Sequence, residues 1–461
     1  MSIVGAFMVP HPPMIVPSVG RGSEKQIEMT IAAYEKVADM IANLKPETII
    51  ISSPHSIMYS DYFHISPGKG ATGSFSDFGA GDVKFNIDYD KTLSDYISRM
   101  AKEQDFPAGT MGERERRLDH GTMVPLYFIL KKYTHFKVLR TGLSGLDLMT
   151  HYQYGMMIKK AVEDLDKRVV YVASGDLSHK LQDYGPYGFA KEGPEYDKRI
   201  MEVCSSGQFD RLFDFDENFC DKASECGHRS FVIMAGALDG VKVEAEQLSH
   251  EDVTGVGYGI CTFIPKGPDE SRHFLDDVLR KEEDKLNDIR AKSDDYVKLA
   301  RTSLEYFVKN KRAVDMPDWV PDEILNRRAG AFVSVHKNGQ LRGCIGTILA
   351  TQDNLGEEII NNAISAASKD YRFNPITEDE LKWLDISVDV LSEPEKIASK
   401  DELDVKRYGV IVESGYKRGL LLPDLDGVDT VEDQIDIARQ KAGIAPGTKV
   451  QLYRFEVVRH Y

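Results

Sequence analysis

Cysteine is scarce in this chain: five residues in 461, at Cys204, Cys220, Cys226, Cys261 and Cys344. No two are spaced Cys-x-x-Cys, and an odd, scattered set fits a reducing cytosol better than a disulfide framework. Positive charge is also short, with a formal net charge of -16. That excludes nucleic-acid or anionic-membrane partners bound by bulk electrostatics, which need a net positive surface. No apolar run approaches the roughly 18 residues of a spanning helix. The first residues, MSIVGAFMVPHPP, lack a basic segment, and Pro10, Pro12 and Pro13 interrupt them too early for a signal peptide. A cytoplasmic protein with no nucleic acid and no membrane partner is expected, assembled as a homo-oligomer. Internal repeats and low-complexity tracts are absent too. A chain this long exceeds one core of usual size and implies at least two domains.

Three apolar runs share one design. IVGAFMVP leads to His11, ETIIISSP to His55, and RVVYVAS to Gly175, Asp176 and His179. Near-continuous apolar runs predict strands covered on both faces, as in a mostly parallel sheet with helices on either side. Between the first two, Ile27, Ile31, Tyr34, Val37 and Ile41 recur at helical spacing, giving a strand–helix–strand unit. Sites in open α/β sheets form beyond the carboxyl ends of strands. Histidines at three such ends therefore point to one site.

Two neutral imidazoles from neighbouring strand ends can supply two ligands to a divalent ion, and a carboxylate would complete a 2-His-1-carboxylate set. Glu225, before the apolar helical stretch SFVIMAGAL, is the leading carboxylate; the adjacent Cys226 competes as a thiolate. Glu225 also suits a helix-start acid. His120, in LDHGTMVPL, and His179, in SGDLSHKL, are candidates to move protons near neutral pH. The bland alternatives are that His120 caps the following helix and Asp176 caps one starting at Leu177.

Beyond TGVGYGICTFIPKGP the composition turns strongly charged, which marks residues 268–285 as a charged linker or solvated helix between a first domain at 1–267 and a second at 286–461. Asn338-Gly339 between apolar runs predicts a hairpin. GQLRGCIGT places Arg342 beside Cys344, where a guanidinium can lower a thiol pKa; a tight turn with a packed cysteine is the competing reading. Lys369, Tyr371 and Arg372 can bind an anionic or aromatic group, or belong to a solvated loop.

VPHPP, SSPHS, DHGTMVPL and SGDLSHKL, in that order over residues 1 to 265, resemble the class III extradiol dioxygenases of the LigB type and their Memo relatives. The resemblance implies an α/β sandwich with a ferrous site at His11, His55 and Glu225. It also implies acid/base work at His179, substrate contact at His120, and ring opening of a catechol- or aminophenol-like compound. Asp176 departs from the ring-cleaving pattern towards Memo-like relatives, and so does a cysteine near the third ligand. That leaves open a metal-binding component without ring cleavage, with copper or zinc as alternative ions and a zinc hydrolase as a third reading. From about residue 285 to Tyr461, LRGCIGT, SKDYRFNPIT, LDISVDVLSEPEKI and YGVIVESGYKRGLLLP resemble the AMMECR family, an α+β domain of unsettled activity. Bacterial relatives of both halves occur in the AmmeMemoRadiSam system with a radical S-adenosylmethionine protein, which implies such a partner; fusion raises effective concentration.

Overall fold

A computed structural model describes residues 2–114, 117–425 and 427–461. The chain divides into two compact units, Met1–Leu279 and Arg280–Tyr461.

The first unit is built on a six-stranded sheet. In chain order its strands are β1 (Ile3–Val9), β2 (Thr48–Ser52), β3 (Lys137–Thr141), β4 (Val169–Ser174), β5 (Val241–Glu251) and β6 (Tyr258–Pro268), in spatial order β3-β2-β4-β1-β6-β5. The first four pair in parallel, whereas β6 joins β1, and β5 joins β6, antiparallel. The sheet is therefore mixed. Side chains alternate between two cores, as the pleat requires. Ala6 and Met8 of β1 enter one core, Phe7 and Val9 the other. Helices α1 (Glu28–Leu44) and α2 (His120–Ile129) cover one face. Helices α3 (Leu148–Asp164), α4 (Glu192–Ser206) and α5 (His228–Ala237) cover the other. Because β1, β2, β3 and β4 run together, their carboxyl ends share one edge, and the polar segments after them meet there.

The charged stretch read as a linker is mostly helix: α6 (Phe274–Lys292) crosses the boundary between the units. Asp276 and Asp277 in its first turn and Arg290 and Lys292 in its last complement the helix dipole, which favours helix over an irregular linker.

The second unit holds two four-stranded antiparallel sheets and helices α7 (Asp295–Asn310), α8 (Leu355–Ser368) and α9 (Val431–Lys441). Its first sheet begins with β7 (Ala331–Lys337) and β8 (Gln340–Gly346), joined through Asn338 (φ 53°) and Gly339 (φ 78°), the positive angles a two-residue hairpin demands. No helix among the described residues is long and apolar enough to cross a membrane.

Candidate metal centre

His11 stands just past β1. Pro10 and Pro12 restrict its backbone, and the Tyr34 hydroxyl of α1 donates to the Pro10 carbonyl. Its amide donates to Asp176 Oδ1 at 2.6 Å. Its ring is oriented by a short chain: Ser174 Oγ, at the end of β4, lies 3.0 Å from His11 Nδ1 and donates to the Gly121 carbonyl at 2.6 Å. A hydroxyl that spends its hydrogen on a carbonyl accepts from Nδ1–H, so Nε2 carries the lone pair.

That lone pair faces His55, three residues beyond β2; the two Nε2 atoms are 3.0 Å apart. Cys226 Sγ lies 3.7 Å from His11 Nε2. The ligand atoms of His11, His55 and Cys226 all lie within 4.8 Å of one another. Nitrogen and sulfur donors bound to one ion at about 2.1 and 2.3 Å stand roughly 3.0–3.6 Å apart for ordinary ligand angles. The two imidazoles meet that spacing and the Cys226 sulfur stands wider than it, which makes the set a candidate site for one transition-metal ion.

Glu225, the expected third ligand, turns away. Its Oε2 accepts the His228 amide at 2.6 Å, which caps the start of α5, and burial pushes its carboxyl up to about 7. Cys226 reaches the site because two glycines allow it. A Cβ on Gly175 would lie 2.1 Å from the Gly227 Cα, so only bare backbone lets the end of β4 abut the 225–227 turn. The Asp176 amide then donates to Cys226 Sγ at 3.3 Å.

The remaining first-domain candidates surround this group. His120 opens α2, and its ring centroid lies 3.9 Å from that of His55 and 5.3 Å from that of His11. Asp119, not His120, is the helix cap, accepting the Thr122 amide. Burial, with His55 and His11 nearby, lowers the His120 pKa to about 3. Asp176 caps no helix, since none starts at Leu177. It is buried, with Oδ2 3.9 Å from His11 Nε2, and burial raises it to about 6. His179 is half-buried; desolvation lowers its pKa, opposed by Asp176. Exposed aromatics flank both: Tyr187 stacks on His179 at 5.1 Å and Phe78 meets the His120 ring edge-on at 5.5 Å.

Sequence reasoning missed the supports. Asp119 accepts from Ser53 Oγ at 2.6 Å and from Arg140 Nη2 at 2.9 Å, with both side chains buried. Burial alone would raise the Asp119 carboxyl, but Arg140 and these hydrogen bonds hold it below its usual range. An arginine inside the strand KVLRT was the available signal.

In the second unit, Arg342 forks onto Glu380, with bonds of 3.0 and 2.9 Å, and donates to the Asn374 carbonyl. The guanidinium fixed beside Cys344 is Arg372: it donates to the Cys344 carbonyl at 3.2 Å and pairs with Asp370, which accepts the Cys344 amide. Ser334 Oγ donates to Cys344 Sγ at 3.2 Å, while Tyr371 is 95% exposed.

Residues 5–261 match the family described as the catalytic LigB subunit of aromatic ring-opening dioxygenase, and residues 297–460 match AMMECR1. The chain belongs to the LigB family, in the form that carries an AMMECR1 domain after the LigB domain. A Clostridium acetobutylicum protein, Protein CA_C1420, is 42% identical over all of this chain and 99% of its own length. A Thermotoga maritima protein is 52% identical over 36% of this chain and 96% of its own length. Among solved structures, uncharacterized protein PH0010 from Pyrococcus horikoshii is 31% identical over 36% of this chain and 88% of its own, with a TM-score of 0.33.

Proposed function

We propose that the first domain is a metal-dependent oxidoreductase of the Memo kind, acting on a small aromatic diol or aminophenol without opening its ring. The observation that carries this reading is the third donor. Cys226 Sγ accompanies the two imidazoles, while the Glu225 carboxylate is occupied as a helix cap. A thiolate beside imidazoles suits iron, copper or zinc, and only the first two are redox-active. His11, His55 and Cys226 would hold the ion, which when bound supplies Lewis acidity and one-electron chemistry.

The chain's own residues supply the rest. Burial and the neighbouring imidazoles hold His120 in its neutral form, so its ring serves to hydrogen-bond a bound hydroxyl rather than to take up a proton. Asp176, raised by burial to about 6, can hold or release one near neutrality, and His179 lies close enough for the two charges to act on each other. Phe78 and Tyr187 present aromatic surfaces suited to a planar ring. The AMMECR1 domain serves as partner- or substrate-binding module, with a radical S-adenosylmethionine protein the expected partner.

The test is oxygen uptake by iron- or copper-loaded protein against a panel of catechols and aminophenols, with product analysis. Oxidised product with an intact ring, lost in His179→Asn, supports the reading. Absence of a bound ion, or absence of turnover, overturns it. Ring-opened product would favour the second reading, extradiol cleavage, which the placement of His120 beside both ligand imidazoles recommends.

A further inference from the structure

One part-buried polar pair is not used by that reading. Asp197, on α4, is 2% exposed. Its Oδ1 accepts the Ser178 amide at 2.8 Å, and its Oδ2 lies 2.9 Å from His250 Nε2 on β5. Ser178 immediately precedes His179. The same loop is pinned by the Leu177 amide to the Gly257 carbonyl at 2.9 Å, the Gly257 amide to the Ser178 carbonyl at 2.8 Å, and the His179 amide to the Ala223 carbonyl at 3.2 Å. Residue 257 must be glycine, since a Cβ there would lie 2.0 Å from Asp197 Oδ2.

A carboxylate is a costly way to receive one backbone N–H, because an ionised group in so buried a place needs a compensating partner. His250 is that partner, and with 30% of its side chain exposed it can exchange protons with solvent. The charged groups facing it are Asp197 and, more weakly, Asp252; opposite it on β6 stands Gly259, which is uncharged. Asp197 holds His250 above the usual imidazole range.

We propose that Asp197 and His250 are positioning residues for His179: the pair fixes the Leu177–His179 loop and transmits the protonation of His250 to it. The inference rests on His179 as the proton-handling group. Neither residue touches the ion's donors.

The experiment is an NMR titration of the metal-free full chain, labelled at histidine ring carbons and backbone amides, between about pH 5 and 8.5, where imidazoles titrate. In wild type, the Ser178 amide and the His179 ring, assigned through His179→Asn, should each follow a step at the midpoint of His250. His250→Gln keeps a donor towards Asp197 but does not titrate. That variant should abolish the step and shift the His179 midpoint by about 0.3–0.7 pH unit, a two- to fivefold change in proton affinity. Asp197→Asn should do the same. Identical titration of Ser178 and His179 in wild type and His250→Gln would overturn the proposal. Metal content is read separately, so a chain that binds no ion yet shows the coupled step would refute the proposed function and leave this inference standing.

Discussion

At the scale of single residues, the site depends on which nitrogen of His11 is free. Ser174 fixes that tautomer through its bond to the Gly121 carbonyl. Ser174→Ala should therefore weaken ion binding by about 10- to 100-fold, the usual effect of removing an outer-sphere partner, while leaving the fold intact. Competition against a chelator measures it. His11→Ala, His55→Ala and Cys226→Ala should each remove the ion, whereas Glu225→Gln, which keeps an acceptor for the His228 amide, should retain it. The two histidines were legible because each follows an apolar run. The choice between Glu225 and Cys226 was not, since adjacent residues share every sequence-level cue. The fold sets them apart: Cys226 Sγ stands with the two imidazoles, and the Glu225 carboxylate accepts the His228 amide three residues on.

At the scale of elements, strand ends and helix starts carry the functional groups, and the strands were the easiest part to read. β1, β2 and β4 are unbroken apolar runs, and each ends at the expected polar residues. β5 carries a different signature: VKVEAEQLSHE alternates, and its exposure pattern is that of an edge strand with one wet face. Gly175 is the decisive backbone position. Gly175→Ala should cost about 1–3 kcal/mol in overpacking and, by moving the 225–227 turn, should lower the bound-ion stoichiometry. Thermal unfolding and metal analysis of the same sample check both.

The β8–Glu380 junction makes a prediction of a different kind. Burial would raise Glu380, yet the fork of Arg342, the Thr377 amide and Lys337 bring it down to about 2. A carboxylate depressed by folding stabilises the folded state above its unfolded pKa of about 4.5, and that stabilisation is lost as pH falls from there to about 2. A shift of that size converts to about 3 kcal/mol at neutral pH, and solvent screening of a partly accessible group brings the contribution to about 2 kcal/mol. Glu380→Gln should lower the stability of the second unit by about that amount and flatten its acid dependence across this interval, as followed by circular dichroism. Arg342 looked like a thiol activator in the sequence because Glu380 is too distant along the chain to be seen as its partner.

At the scale of the whole molecule, the two units each have their own hydrophobic cores, and each matches a separate family. Independent cores predict two calorimetric transitions, only the first of which rises when iron or copper is added, since an ion stabilises only the unit that binds it. The acidic balance predicts no retention on DNA at physiological salt.

X-ray absorption at the metal edge of the iron- or copper-loaded chain shows whether a thiolate and two imidazoles meet at one cation. One sulfur neighbour at about 2.3 Å is expected with nitrogen neighbours at about 2.0–2.1 Å, the sulfur vanishing in Cys226→Ala. A shell of nitrogen and oxygen alone in the wild-type protein, unchanged by Cys226→Ala, would contradict it.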